Sequence, residues 1–326
     1  MIHQGVSFYS YQSAYRQGKI DLEGMVAQVQ ALGCDGVELV PPQTPPIAYP
    51  NPTLAQIEAW FSLMEKYGTK PICWDTMIFP VDGDFDHQRE QLVEELRLCH
   101  AMGFPIMRIP VGPFGRGLRV DVVESVLPLA EELDVNLGQE IHAPFTISGE
   151  RVQQQIDFIQ RTGTKHASLI PDMAIFATAL PPCLGRKVLA AGADKELVEA
   201  IFAAFAAGED MGKFAKGLSN IGPAEELLTF AVNNMPSKRT ELLEILPYVS
   251  HFHGKFYEID ENLTEPGVRF DEVVPILVRA NWEGYINSEF EGQRYHGPDD
   301  PVDEIEQVRR QHKLVERLIA ETMSAK

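Results

Sequence analysis

Two histidines and a lysine alternate along the segment "YVSHFHGKFYEID" at residues 248–260. Successive side chains of a β-strand point to opposite faces, so His251, His253 and Lys255 would all project from the same face. The tyrosine and phenylalanine residues around them supply the bulk and β propensity that a strand requires. Because an ordinary core strand would carry aliphatic residues at these positions, the row of titratable groups indicates a functional site.

Carboxylates lie close to the ends of three other apolar runs: Glu140 in "GQEIHAPF", Asp172 in "LIPDM" and Glu289 in "INSEFEG". Together with one imidazole, three carboxylates would suit a divalent ion such as Mn²⁺, Mg²⁺ or Co²⁺, with coordination positions left for substrate oxygens. Zinc prefers fewer carboxylates and four ligands, so it ranks below these ions. Strand parity does not decide whether His251 or His253 is the ligand, and the other histidine would then lie satisfied in the core.

A third histidine, His142, lies two residues after Glu140 and would point to the same side. Since an imidazole titrates near neutral pH, His142 is the candidate general base, and the alternative is a hydrogen-bonding role beside the metal. Lys255 and Glu291 each lie two residues beyond a candidate ligand, near the expected substrate hydroxyls, although a plain surface ion pair is the alternative. The candidate substrate-binding residues are His251, Lys255, Glu291 and Arg294.

These residues belong to a regular alternation of short apolar runs and amphipathic stretches. Strand-like runs occupy 5–11, 36–40, 70–75, 106–112, 135–142, 166–172, 249–257 and 284–290. Seven runs are followed directly by a helical pattern, and the sixth is followed by a longer, mostly helical segment, 173–235. The pattern predicts an α/β fold, a (β/α)8 TIM barrel forming one domain over 1–326 with a helical insertion between strands 6 and 7. A doubly wound open sheet is the alternative, but no Gly-rich phosphate-binding fingerprint follows the first strand.

The barrel fold explains why polar residues lie at strand ends, because active sites in this fold occupy the C-terminal ends of the strands. Tyr9 and Tyr11, as alternate residues of the first strand, are further candidates there. The insertion exceeds the usual length of a connection, and we expect it to cover the barrel mouth or to contact a partner.

Composition excludes several classes of protein. A net charge of −19, from 28 basic and 47 acidic residues, repels a phosphate backbone and argues against nucleic-acid binding. The longest apolar runs are interrupted within about a dozen residues, too short to span a bilayer, and the first residues lack the basic and apolar regions of a signal peptide. The four cysteines have no metal-like or redox-like spacing, as expected of free thiols in a cytoplasmic protein. They are Cys34, Cys73, Cys99 and Cys183.

The order Glu, Asp, HxH, Glu resembles the metal-site pattern of the xylose-isomerase-like barrel superfamily of sugar isomerases and epimerases. The resemblance covers essentially the whole chain, and "SHFHGK" and "INSEFEG" are its most specific motifs. It implies that the second histidine of HFH is the ligand. The implied metal ligands are Glu140, Asp172, His253 and Glu289.

Ketose 3-epimerases of this superfamily typically carry a histidine, an arginine and a glutamate where this chain has Ile175, Ile259 and Thr146. A closer resemblance is to the large (α) subunit of bacterial C-glycoside deglycosidases. Its motifs here are "GVSFYSYQ", "YGTKPICWD", "EIHAPF", "IPDMAIF", "HGKFYEID" and "SEFEGQR".

That family implies a metal-dependent lyase that cleaves the carbon–carbon bond of a 3-oxo C-glycoside by β-elimination. His142 would be the base, Glu140 and Glu289 the other catalytic candidates, and Mn²⁺ the expected ion. A small β subunit would complete a hetero-oligomer.

Two other functions stay open. One is a metal-dependent sugar or polyol isomerase, 3-epimerase or dehydratase of the same barrel, in which Glu140 and Glu289 move the proton and His142 only supports them. The other is a non-catalytic barrel used for binding or assembly, against which the intact ligand set argues.

Overall fold

Residues 1–43, 48–78, 85–112, 116–117, 120–234, 236–297 and 300–325 are described by the structure, a computed structural model. Among them β5 and β6 form a short antiparallel pair, and the other eight strands form one parallel sheet. The strands are β1 Ile2–Ser7, β2 Gly36–Leu39, β3 Lys70–Asp75, β4 Ile106–Ile109, β5 Val111–Gly112, β6 Arg116–Gly117, β7 Asn136–Ile141, β8 Ala167–Pro171, β9 His251–Phe256 and β10 Gly284–Phe290.

The parallel sheet curls into a barrel, in the strand order β8, β7, β4, β3, β2, β1, β10, β9. Two isolated parallel bridges, Leu169 to Val249 and Asp172 to His253, join the β8 side to the β9 side and bring the sheet ends together. The predicted TIM barrel is therefore confirmed. Because all eight strands run in the same direction, the residues at their C-terminal ends meet at one mouth.

The helices surround the barrel, and none among the described residues is long and apolar enough to cross a membrane. They are α1 Gln12–Arg16, α2 Leu22–Ala31, α3 Leu54–Tyr67, α4 Phe85–Ala101, α5 Val120–Leu133, α6 Glu150–Thr162, α7 Pro182–Ala190, α8 Lys195–Ala206, α9 Met211–Lys216, α10 Ala224–Asn233, α11 Leu242–Ile245, α12 Phe270–Arg279 and α13 Glu304–Ser324.

Local chemistry sets where these helices begin and end. α3 begins with a capping box, in which the side chains of Thr53 and Gln56 each accept a hydrogen bond from the other residue's backbone N–H. It ends at Gly68, whose φ of 63° is a left-handed conformation that glycine adopts without steric cost. α6 buries Val152 and Ile156, four residues apart, so one helix face packs on the barrel. The predicted end of the insertion at 235 lies outside the described residues.

The first strand begins and ends earlier than the predicted run 5–11. β1 ends at Ser7, and the 3₁₀ turn Phe8–Tyr11 replaces the rest of the predicted strand. The Ser10 hydroxyl explains the turn, because it donates to the carbonyl oxygen of Ser288 at 3.0 Å and accepts from the N–H of Phe290 at 2.8 Å. These bonds attach the turn to β10, so its two tyrosines are not alternate residues of one strand.

Helices α7–α10 occupy the long connection between β8 and β9, and they enclose a separate apolar cluster. Phe230 of α10 packs edge-on against Tyr257 and Tyr295, with ring centroids 5.5 and 5.4 Å away. Arg186 of α7 forms an ion pair with Glu258 at 2.8 Å. Tyr257 and Glu258 follow β9, and Tyr295 follows β10, so these helices pack beside the C-terminal ends of both strands. Their expected role at the barrel mouth or at a partner stays a prediction.

We expect Phe230→Ala to lower the free energy of unfolding by roughly 2–3 kcal/mol, because it removes a half-buried ring and two edge-on ring contacts. Chemical denaturation followed by circular dichroism measures this change. The control is Leu189→Ala on α7, whose residue is 39% exposed, and it should change the value by less than about 0.5 kcal/mol. Equal effects for both variants would show that the aromatic contacts do not hold the insertion to the barrel.

Candidate metal-binding and catalytic site

Three metal-ligating side chains converge near the barrel mouth from three different strands. Glu140 of β7, His253 of β9 and Glu289 of β10 each direct one potential ligand atom into a space where these atoms lie within 4.8 Å of one another. The Nδ1 atom of His253 is 3.0 Å from Glu140 Oε1 and 3.2 Å from Glu289 Oε2. All three residues are buried. We call Glu140, His253 and Glu289 the ligand triad.

The ligand triad fits a divalent cation. Glu289 Oε2 is buried without a hydrogen-bond partner among the described residues, which is costly for a carboxylate unless a cation compensates it. Burial alone would lower the pKa of His253, but Glu38, Glu289 and Glu140 raise it well above its ordinary value. Two carboxylate oxygens and an imidazole nitrogen form a donor set suited to Mn²⁺ and related ions. A bound ion would replace the proton that the raised pKa keeps on His253.

Asp172, the fourth predicted ligand, adjoins the triad at the end of β8. Its Oδ1 accepts the N–H of Ala174 at 2.8 Å, and its Oδ2 lies 2.8 Å from the Lys255 ammonium. Burial raises the pKa of Asp172 above its ordinary value, although Lys255 and His142 act in the opposite direction. A carboxylate oxygen has two lone pairs and can serve both lysine and a metal ion. The role of Asp172 as a ligand stays a prediction.

Lys255 and Glu291 form an ion pair at 3.1 Å, and both residues are buried. The pair is therefore not the plain surface ion pair that was the alternative interpretation of these two residues. The other oxygen of Glu291 accepts from the Tyr9 hydroxyl at 3.1 Å and from Arg294 at 2.8 Å. Burial would raise the pKa of Glu291, but the nearby cations, Lys255 above all, lower it to about 2. The Arg294 side chain is 60% exposed and is the accessible member of this group.

His142 differs from the buried ligand triad in being open to solvent, with 35% of its side chain exposed. It directly follows β7, and its Nδ1 is 2.6 Å from the carbonyl oxygen of Ala143. At that distance Nδ1 carries the proton in the neutral ring, which assigns the acceptor lone pair to Nε2. Nε2, which carries the lone pair, lies 3.6 Å from Asp172 Oδ2. It therefore faces the part of the site where Asp172 adjoins the ligand triad. This arrangement can accept a proton from a substrate.

His251, a predicted substrate contact, is fully buried in the barrel. Its Nε2 lies 2.6 Å from Glu38 Oε2. Burial lowers the pKa of His251, although Glu38 acts against that shift. This burial agrees with the alternative in which one histidine of the HFH motif lies in the core, although only Nε2, and not Nδ1, has a partner among the described residues.

Three charged side chains that the sequence analysis missed lie under the ligand triad. They are Glu38 of β2, Asp75 of β3 and Arg108 of β4, and all are buried. Arg108 lies 3.3 Å from Asp75 and 3.8 Å from Glu140. Burial raises the pKa of Asp75 to about 8 despite the nearby guanidinium. The sequence did contain a signal for these three residues, because each is a charged residue inside a short apolar run. The runs are "GVEL", "ICWD" and "IMRI".

The family model described as Xylose isomerase-like TIM barrel matches residues 26–312, so the chain belongs to this family. Within curated proteins it is similar to the 3'-dehydrocarminate deglycosidase alpha subunit of Microbacterium sp, with 32% identity over 72% of this chain and 70% of that protein. It is also similar to a C-glycoside deglycosidase alpha subunit of Arthrobacter globiformis, with 29% identity over 93% of this chain and 87% of that protein. Both resemblances drawn from the motifs are thereby confirmed.

Among solved structures, the chain is similar to a D-psicose 3-epimerase crystallised in the presence of D-fructose. The TM-score is 0.59, the identity is 11%, and the match covers 97% of this chain and 99% of that chain. At that identity the likeness shows a common barrel fold and does not transfer an activity.

We expect Glu289→Gln to weaken Mn²⁺ or Co²⁺ binding by more than a hundred-fold, since losing even an outer contact of a ligand typically costs about 10- to 100-fold. Isothermal titration calorimetry and elemental analysis of the purified protein measure affinity and stoichiometry. Glu283→Gln is the matched control, because this exposed residue directly precedes the same strand and pairs with the N-terminus. Unchanged binding in Glu289→Gln would place the metal elsewhere.

Proposed function

We propose that the protein is the α subunit of a C-glycoside deglycosidase, a metal-dependent lyase that acts on C-glycosides already oxidised to 3-keto sugars. The observation that carries the proposal is the position of His142, a solvent-accessible imidazole with a free Nε2 beside a buried cluster of metal-ligating groups. Similarity to two proteins named as deglycosidase alpha subunits supports the proposal.

The reaction begins with the acidic hydrogen at sugar C2, which the neighbouring C3 carbonyl activates. Nε2 of His142 accepts this proton, and the resulting imidazolium is stabilised by Asp172, 3.6 Å away. The electron pair left at C2 forms the C1–C2 double bond, and the bond from C1 to the aglycone carbon breaks. The aglycone carbon takes up a proton, so the step is an elimination without net oxidation or reduction.

A divalent ion held by Glu140, His253 and Glu289, with Asp172 as the expected fourth ligand, would stabilise the negative charge that develops on the sugar oxygens. Lys255 and Glu291 lie next to these ligands and would donate to and accept from sugar hydroxyls. Arg294, exposed beside Glu291, would contact substrate at the entrance.

A 3-epimerase, isomerase or dehydratase is the second candidate function. The observation in its favour is that Glu140 and Glu289 both lie close to the imidazole of His253, at 3.0 and 3.2 Å from the same nitrogen. Two carboxylates on opposite sides of a bound sugar could remove and return a proton. His142 would then only orient its surroundings.

The proposed enzyme works as a hetero-oligomer in the cytoplasm. The two deglycosidase relatives are named alpha subunits, which supports a small β subunit as partner. Helices α7–α10 pack beside the C-terminal ends of β9 and β10, and we propose them as a cover for the mouth or as the surface that meets the partner.

We expect His142→Ala to retain metal and to lose cleavage of a 3-keto C-glucoside by about 10²- to 10⁴-fold, because a positioned general base contributes about that factor. Product release is measured by liquid chromatography, with the partner subunit supplied and metal content determined in parallel. His166→Ala is the matched control, since this histidine precedes the next strand and pairs with Asp134 outside the site.

Two outcomes would count against the proposal. Retained cleavage in His142→Ala would remove this histidine from the mechanism. Wild-type epimerisation of a ketose, without any cleavage of the keto-glycoside, would replace the lyase by the second candidate function.

A further inference from the structure

Glu38 is a carboxylate held entirely inside the barrel, on a strand that supplies none of the predicted ligands. It lies in β2, and its side chain has no exposed surface. Its Oε2 atom accepts two hydrogen bonds, from Nε2 of His251 at 2.6 Å and from Nδ2 of Asn287 at 3.1 Å. These two donors fix the carboxylate plane within the barrel.

The other oxygen of Glu38 faces His253. Oε1 has no hydrogen-bond partner among the described residues, and the same holds for Nε2 of His253, although both atoms are buried. They lie 3.6 Å apart. Buried polar atoms nearly always find partners, so two such atoms facing each other indicate a contact. A shift of about 0.7 Å would bring them to normal hydrogen-bond distance.

We propose that Glu38 is a positioning residue that accepts the Nε2–H of His253 and thereby keeps the Nδ1 lone pair directed at the metal position. This inference rests on the proposed metal site. A neutral imidazole carries one N–H, and the nitrogen that binds a metal must be the other one. Nδ1 is the nitrogen close to Glu140 and Glu289. Nε2 must therefore hold the proton, and histidine ligands usually donate that second N–H to a carboxylate or carbonyl.

The other polar groups near His253 are less suited than Glu38 to accept its Nε2–H. Asp75 lies on the adjacent strand but is engaged by Arg108 at 3.3 Å. The thiol of Cys73 also lies within reach of the His253 ring, but it lies 3.5 Å from Asp75 Oδ1 as well, and a thiol is a weak acceptor. Glu38 carries a full negative charge and an oxygen, Oε1, without a hydrogen-bond partner among the described residues, although the Ser7 hydroxyl lies near its carboxylate.

The isosteric variant Glu38→Gln tests this role, because it keeps the shape of the side chain but replaces the acceptor oxygen that faces His253 with a donor. Its amide oxygen would take the place of Oε2, where His251 and Asn287 both donate. The amide NH₂ would then face Nε2 of His253 and favour the tautomer with its proton on Nδ1, which cannot bind a metal. Glu38→Ala removes the acceptor without imposing that tautomer.

We expect Glu38→Gln to weaken Mn²⁺ or Co²⁺ binding by about a hundred-fold and Glu38→Ala by only about ten-fold. A merely structural role would give the opposite order, since the alanine variant leaves a cavity and frees two buried donors. Competition with a chelating dye gives the affinities, on variants shown to be folded by circular dichroism. Asn287→Ala, which removes a donor from the other oxygen, should change the affinity by less than about three-fold.

Nitrogen-15 spectra of histidine-labelled wild type loaded with diamagnetic Mg²⁺ give a readout that needs no Glu38 variant. A protonated Nε2 at His253 supports the proposal, and a protonated Nδ1 overturns it. A weaker effect of Glu38→Gln than of Glu38→Ala also overturns it, as would a second bound ion lost with Glu38.

The two proposals fail in different ways. If wild type binds metal and Glu289→Gln does not, while Glu38→Gln binds normally, only the positioning role is wrong. If wild type binds no divalent ion, both the metal site and the positioning role are wrong. Cleavage of a C-glycoside is not used as a readout, so the lyase assignment is tested separately.

Discussion

The need to compensate buried charge governs the interior of this barrel. Removing an ion from water costs several kcal/mol unless an opposite charge and hydrogen bonds replace the lost hydration. The ammonium of Lys255 lies within 3.6 Å of three carboxylates, and the guanidinium of Arg108 lies within 3.8 Å of two. Glu38, Glu140 and Glu289 gather around His253. These pairings restrict the register of the neighbouring strands, because a shift of one residue would turn each charge away from its partner.

Barrel closure and formation of the site depend on the same contact. β8 and β9 are joined through isolated bridges, and one of them pairs Asp172 with His253. These are two of the four residues expected to bind the metal. A cation bound between them, as proposed, would therefore also hold the two ends of the sheet together.

The substrate pocket differs from the ketose 3-epimerase pattern at positions that the structure places in the core. Ile175 and Ile259 are almost completely buried. Where that pattern has an imidazole and a guanidinium, this chain has two buried apolar side chains. The solvent-accessible polar groups of the site are instead His142 and Arg294.

The sequence by itself determined the order of strands and helices, because residue periodicity and capping are local properties. It also determined that Glu140 and Glu289 end their strands, since each follows an apolar run. It could not find the end of β1, because the turn there depends on bonds from Ser10 to β10, far along the chain. Glu38 was missed for the same reason, as its partners come from other strands.

The two histidines of β9 show most clearly which features the sequence determined and which depend on the tertiary structure. His251 and His253 share one strand face, so alternation cannot distinguish them. Two residues along a strand correspond to a rise of about 6.6 Å, and this difference in depth decides their partners. His251 lies at the level of Glu38, whereas His253 reaches Glu140 and Glu289 nearer the mouth. Only the tertiary structure sets that depth, because the surrounding strands define where the mouth begins.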